Sequence, residues 1–166
     1  MLVKEFLSTM MFGMVKSNDN HLSIEQMREK YWKRIYILPR IYCNDGFNIS
    51  VQVHNGSYSR SENGIREFGL EWKLVEWGFP SEEIDGEKFN CEGWEYYEED
   101  EKPKTTESVG GFVNIDKIEG LVAEHGGFDL MTTLQKEMES NKVVKKPKKD
   151  IDNEPALEPW MMAACL

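Results

Sequence analysis

The chain lacks the features that mark several large protein classes. No apolar run approaches the roughly 20 residues needed to span a bilayer, so no transmembrane helix is expected. The most apolar start, Leu2 to Val15, is interrupted by Lys4 and Glu5 and has no small-residue cleavage pattern, so a secretory signal is not expected either. Cysteine is scarce: Cys43, Cys91 and Cys165 are odd in number, far apart and never in a CxxC pair. That usage argues against a disulfide framework and for reduced thiols in a cytoplasmic protein. His21, His54 and His125 sit at no ligand spacing, so no zinc site is expected. Val109-Gly110-Gly111-Phe112 has neither the Walker spacing nor its Lys-Ser/Thr, and no GxGxxG follows a strand. No metal and no other cofactor is therefore expected. Bases are also in deficit, 20 against 30 acids, for a net charge of −10. A chain of that sign repels phosphate backbones, which leaves the Lys142–Lys149 run as the one place where nucleic acid would be attracted.

What is present suits one α+β domain with extensions: a small antiparallel sheet, an N-terminal helical pair, a short packed helix and a flexible C-terminal tail. Leu2, Val3, Phe6, Leu7, Met10, Met11 and Met14 fall at helical spacing. Ser23-Ile24-Glu25-Gln26 has the form of a capping box opening a second helix to about Arg34. Residues 1–37 thus read as a helical extension that packs on the central unit or forms an interface.

The central unit covers 38–127. Ile41 and Cys43 share one strand face with Tyr42 on the other, and Asn44-Asp45-Gly46 supplies a tight reversal. Phe47, Ile49, Val51 and Val53 alternate with polar residues, as in a half-buried strand. Trp72 to Phe79 and Val109 to Val113 supply further strands. Asn114 is placed to cap a helix that carries Ile118, Leu121 and Val122 inward and stops at Gly126-Gly127. Residues 128–166 read as a short helix to about Glu139 and a charged tail.

An acidic insertion, 82–101, interrupts the central unit. It holds ten acids and one base, Lys88, with Phe89, Trp94, Tyr96 and Tyr97 interleaved. A disordered acidic linker carries few aromatics, so this segment is expected to fold back or to bind.

Taken in order, Leu38-Pro39-Arg40-Ile41 with Cys43, Asp45-Gly46-Phe47, Ser50-Val51-Gln52, Tyr58, Glu62-Asn63-Gly64, Val75-Glu76, Gly78-Phe79-Pro80-Ser81, Pro103, Val109–Val113 and His125-Gly126-Gly127 form a pattern. By that pattern the central third resembles a group of small uncharacterised proteins encoded by tailed bacteriophages. The resemblance covers about half of the chain and implies action in a bacterial cytoplasm; it implies no particular activity. Those proteins carry a cysteine and a Pro-Arg step after the tyrosine. Ser59-Arg60-Ser61 stands there in this chain, so a loop-borne cysteine function does not carry over.

Two surfaces compete as functional sites. Trp94, Glu95, Tyr96, Tyr97, Glu98, Glu99 and Asp100 offer rigid aromatic anchors among carboxylates that imitate a row of phosphates. They suit a protein partner with a basic, nucleic-acid-handling surface. Ser50, Gln52, His54, Tyr58 and Arg60 form the alternative, a polar strand face for a small ligand or an enzyme's substrate. Asp45, Cys43 and His125 read as structural: a turn residue, a packed thiol and a helix-end imidazole. A binding role is favoured over catalysis.

Overall fold

The computed structural model describes residues 1–16, 37–54, 56–61 and 72–144, together with Ser23 and Gln26. In chain order the elements are α1 (Val3–Lys16), β1 (Ile41–Tyr42), β2 (Asn48–Gln52), β3 (Arg60–Ser61), β4 (Trp72–Gly78), β5 (Val109–Asn114), α2 (Ile115–Glu124) and α3 (Leu130–Val144). Three single-turn 3-10 helices, Trp94–Tyr96, Glu99–Glu101 and Thr105–Glu107, lie between β4 and β5. The architecture is α+β, as expected. No helix among the described residues is long and apolar enough to cross a membrane.

Apolar alternation organises the sheet around β4. All pairings are antiparallel: β2 meets β4 through Val51 opposite Trp77, β3 meets it through Arg60 opposite Leu74, and β5 runs beside it from Val113 opposite Val75 to Val109 opposite Gly78. β1 extends the sheet beyond β2, with Ile41 opposite Ile49. Phe47, Ile49, Val51, Val53, Val75, Trp77 and Val113 are all buried, so the period-two residues supply the core side of the sheet.

The helices close this core. In α1, Val3, Phe6, Leu7 and Met10 are buried at positions i, i+3, i+4 and i+7. In α2 the buried set is Ile115, Ile118, Leu121 and Val122, and the two helices share one cluster with the strands. Packing, rather than helix propensity, holds both: each fully buried large apolar side chain contributes about 1.5–3 kcal/mol. Two carboxylates serve the start of α1. Glu5 accepts from the Leu2 N–H, and Glu119 reaches across from α2 to accept from the Val3 N–H (2.9 Å) and the Lys4 N–H (3.0 Å). Asn114 caps α2 by accepting from the Asp116 N–H, as its position indicated.

The capping box is present. Ser23 N–H donates to Gln26 Oε1 (2.9 Å) and Gln26 N–H to Ser23 Oγ (3.2 Å). The helix expected to follow to Arg34 lies outside the described residues.

α3 runs five residues past the expected end at Glu139, to Val144, so that Lys142 belongs to it. Asp129 starts it by accepting from the Thr132 N–H, and no helix breaker intervenes before Pro147. This helix covers the open edge of β1. Buried Thr133 sets its hydroxyl against both backbone groups of Tyr42, and the Tyr42 hydroxyl donates to Glu137.

Trp77 occupies the centre of the core, fully buried, and its indole N–H donates to the Phe89 carbonyl at 2.6 Å. Gly110 of β5 lies against that ring. A Cβ there would overlap the indole and stand 2.6 Å from the Phe89 oxygen. Gly110→Ala is expected to destabilise the fold by about 1–3 kcal/mol, the usual cost of overpacking, measured as a lowered denaturation midpoint. An unchanged midpoint would show that this contact relaxes freely.

Candidate functional site

The acidic insertion is a folded lobe, fastened to the sheet at several points. At its base the Ser81 N–H donates to the Asn48 carbonyl, and the Ser81 hydroxyl accepts from the Asn48 N–H. Further on, Cys91 bridges to Gly110, and the Glu92 N–H donates to the Val109 carbonyl. The Trp77–Phe89 bond adds a buried link.

A clasp closes the lobe. Glu83 accepts from the Thr105 N–H (2.8 Å), the Thr105 hydroxyl (2.7 Å) and the Thr106 hydroxyl (2.7 Å). Thr105 is fully buried and its oxygen also accepts from the Ile84 N–H. The hydroxyl of Thr105, then that of Thr106, stabilises the ionised carboxylate and holds the Glu83 pKa down at about 2. The sequence pattern gave no sign of this pairing, because it joins residues 22 and 23 positions apart.

Within the lobe the expected site residues divide by exposure. Trp94 is half-buried, packed on the core cluster, with its ring over Gly86 and the Lys102 ammonium 4.9 Å from its centroid. Tyr96 is 82% exposed and Tyr97 51% exposed. Glu95, Glu98, Glu99 and Asp100 are all exposed, and Glu99 pairs with Lys102 at 3.2 Å. Trp94 thus acts as the anchor that sets the direction of two solvent-facing tyrosines and the carboxylates around them.

The polar strand face is put together differently. Gln52 is buried and its amide is committed: Oε1 accepts from the Leu38 N–H (2.8 Å), and Nε2 donates to the Leu38 carbonyl (3.0 Å) and to Ser50 Oγ (2.8 Å). It stands in for a strand neighbour. His54 is buried as well; burial lowers its pKa, and its Nδ1 accepts from the Gly56 N–H. Tyr58 and Arg60 instead reach solvent and meet over Phe112. The Tyr58 ring is edge-on to Phe112 at 5.8 Å, and the Arg60 guanidinium carbon stands 5.1 Å from its centroid. The structure therefore joins Ser50 with Gln52, and Tyr58 with Arg60, while His54 is turned into the protein.

Among the described residues, three non-glycines have left-handed backbones: Phe79 (φ +48°), Asn90 (+52°) and Phe112 (+52°). For bulky residues this is strained backbone, on the order of 1–3 kcal/mol each. Asn90 and Phe112 touch, since the Asn90 amide lies 3.4 Å from the carbonyls of Gly111 and Phe112.

Asp45 and His125 also come together. Asp45 Oδ2 stands 2.7 Å from His125 Nδ1, the imidazole stacks on Phe47 at 3.9 Å, and Asn44 bonds the Gly126 and Gly127 carbonyls. The Phe47 N–H and then His125 lower the Asp45 pKa. Burial pushes the neighbouring Cys43 thiol up to about 11, with the Asp45 charge adding to it, so no thiolate forms there. The group is a latch between the hairpin turn and the end of α2.

The depressed carboxyls of Asp45 and Glu83 give the same sign of pH dependence. Their contribution to stability is full above the unfolded carboxylate range, roughly pH 4–5, and is lost as pH falls towards their folded values, about 2 for Glu83. Glu83→Gln is expected to flatten the acid limb of a stability–pH profile; a profile of unchanged steepness would show that the clasp contributes nothing. Gln52→Leu, which strands both Leu38 backbone groups, is expected to cost about 1–3 kcal/mol in chemical denaturation. No protein-family model, no curated protein and no solved structure matches this chain.

Proposed function

We propose that this is a phage-type accessory protein that works by binding a protein partner in the bacterial cytoplasm. The acidic–aromatic lobe is the binding surface, and it occludes a basic, nucleic-acid-handling surface of that partner. The observation that carries this reading is the shape of the lobe. A segment with ten acids and a single base is folded back and clasped, yet it turns Tyr96 and Tyr97 outward among Glu95, Glu98, Glu99 and Asp100. Rigid exposed aromatics ringed by charge are the composition of an interface centre: the rings bury area at low entropy cost while the carboxylates steer a basic partner. The phage context is supported by the ordered motifs from Leu38 to Gly127.

Replacing Glu95, Glu98, Glu99 and Asp100 with their amides should weaken partner capture from a bacterial lysate by roughly tenfold or more at low salt, because steering by surface charge is lost. The far-ultraviolet circular dichroism should not change. Capture of the same proteins at the same strength by the neutralised chain would refute the proposal.

A further inference from the structure

A groove of about 450 Å³ opens within the lobe, lined by Glu87, Asn90, Glu92, Trp94, Glu95 and Tyr96. Its aromatic wall is built closely, since Trp94 lies over Gly86 with no room for even a Cβ on that residue. Asn90, on the groove wall, sets its amide 3.4 Å from the Gly111 and Phe112 carbonyls, which joins this wall to the strand that carries the Tyr58–Phe112–Arg60 platform. The two residues at this junction, Asn90 and Phe112, are the touching pair with left-handed backbones. The chain already places a cation on a ring at each end, Lys102 at Trp94 and Arg60 at Phe112. Aromatic faces in this strip thus sit in a field that favours positive charge.

We infer that this groove takes an arginine side chain from an extended basic segment of a protein partner. The aliphatic stem would cover Tyr96 and the exposed edge of Trp94, with the guanidinium at the groove carboxylates and the flanking backbone crossing the Tyr58–Phe112 platform. Arginine fits better than lysine because its planar, weakly hydrated guanidinium both stacks on rings and pairs with carboxylates in a fork, whereas an ammonium acts as a hydrated point charge. The inference rests on the binding role proposed above and names the chemistry its central contact would read.

The test is a nuclear magnetic resonance titration of the full chain with blocked Gly-Gly-Arg-Gly-Gly and with its lysine and citrulline counterparts. Saturable shifts confined to 86–96 and to Tyr58 and Phe112, several-fold weaker with lysine and absent with citrulline, support the assignment. Tyr96→Ala, or Glu87→Gln with Glu92→Gln, should then weaken the arginine peptide by roughly tenfold, the scale of one desolvated charged contact. Equal response to arginine and lysine, shifts spread over the whole acidic surface, no saturable shift, or indifference to these variants would each overturn it. Partner capture lost on neutralising Glu98, Glu99 and Asp100 but indifferent to the groove variants would remove the groove and keep the binding role. The reverse pattern would keep the groove and remove the broader acidic face.

Discussion

The Trp77 indole is the point on which the core, the sheet and the lobe all depend. Its ring fills the centre of the buried cluster, and its N–H reaches the Phe89 carbonyl at 2.6 Å. An indole that large can be buried only if its one donor is satisfied. Here the acceptor comes from the lobe, so completing the core also fixes the lobe. Gly110 makes the approach possible by leaving the ring face free of a side chain. A single interaction thereby couples apolar packing to the position of an acidic surface that has almost no apolar core of its own.

Charge explains why so many fastenings are needed. Ten carboxylates in twenty residues repel one another, and an untethered segment of that composition would stay expanded. The lobe counters this with bonds that use the charge. Glu83 is most strongly hydrogen-bonded as an anion, Glu99 pairs with Lys102, and Lys102 also lies over Trp94. The remaining carboxylates can then face solvent together. That ordering is the physical basis of the proposed role, because a surface already held in shape loses less conformational entropy when it binds.

Local patterns gave much of the scaffold. The alternation from Phe47 to Val53, the Asn114 cap, the Ser23–Gln26 capping box and the Gly126-Gly127 stop all act over a few residues and appear where the sequence indicated. Gln52 shows why the candidate sites were less legible. Its place in a period-two strand marks it as polar and outward-facing, but the backbone of another segment, at Leu38, bonds both ends of its amide. Polar in an alternating strand does not mean exposed to water when the backbone of a distant segment takes up the side chain's hydrogen bonds. His54 is buried as well, bonded to the Gly56 N–H, while Tyr58 and Arg60 escape to meet Phe112.

The sequence by itself determined the fold class, the extent of most of the elements and the presence of an acidic, aromatic insertion, since periodicity, caps and composition are short-range properties. Only the tertiary structure decided how those parts are joined and which of their side chains reach solvent. It joined the Asn44-Asp45-Gly46 turn to the His125-Gly126-Gly127 helix end across 80 residues, and it closed Glu83 onto Thr105 and Thr106. It also chose, among the interleaved aromatics, Trp94 as anchor and Tyr96 and Tyr97 as the rings left exposed. Such choices follow from which distant groups satisfy each other's hydrogen bonds and fill each other's volume. No window of neighbouring residues contains that information.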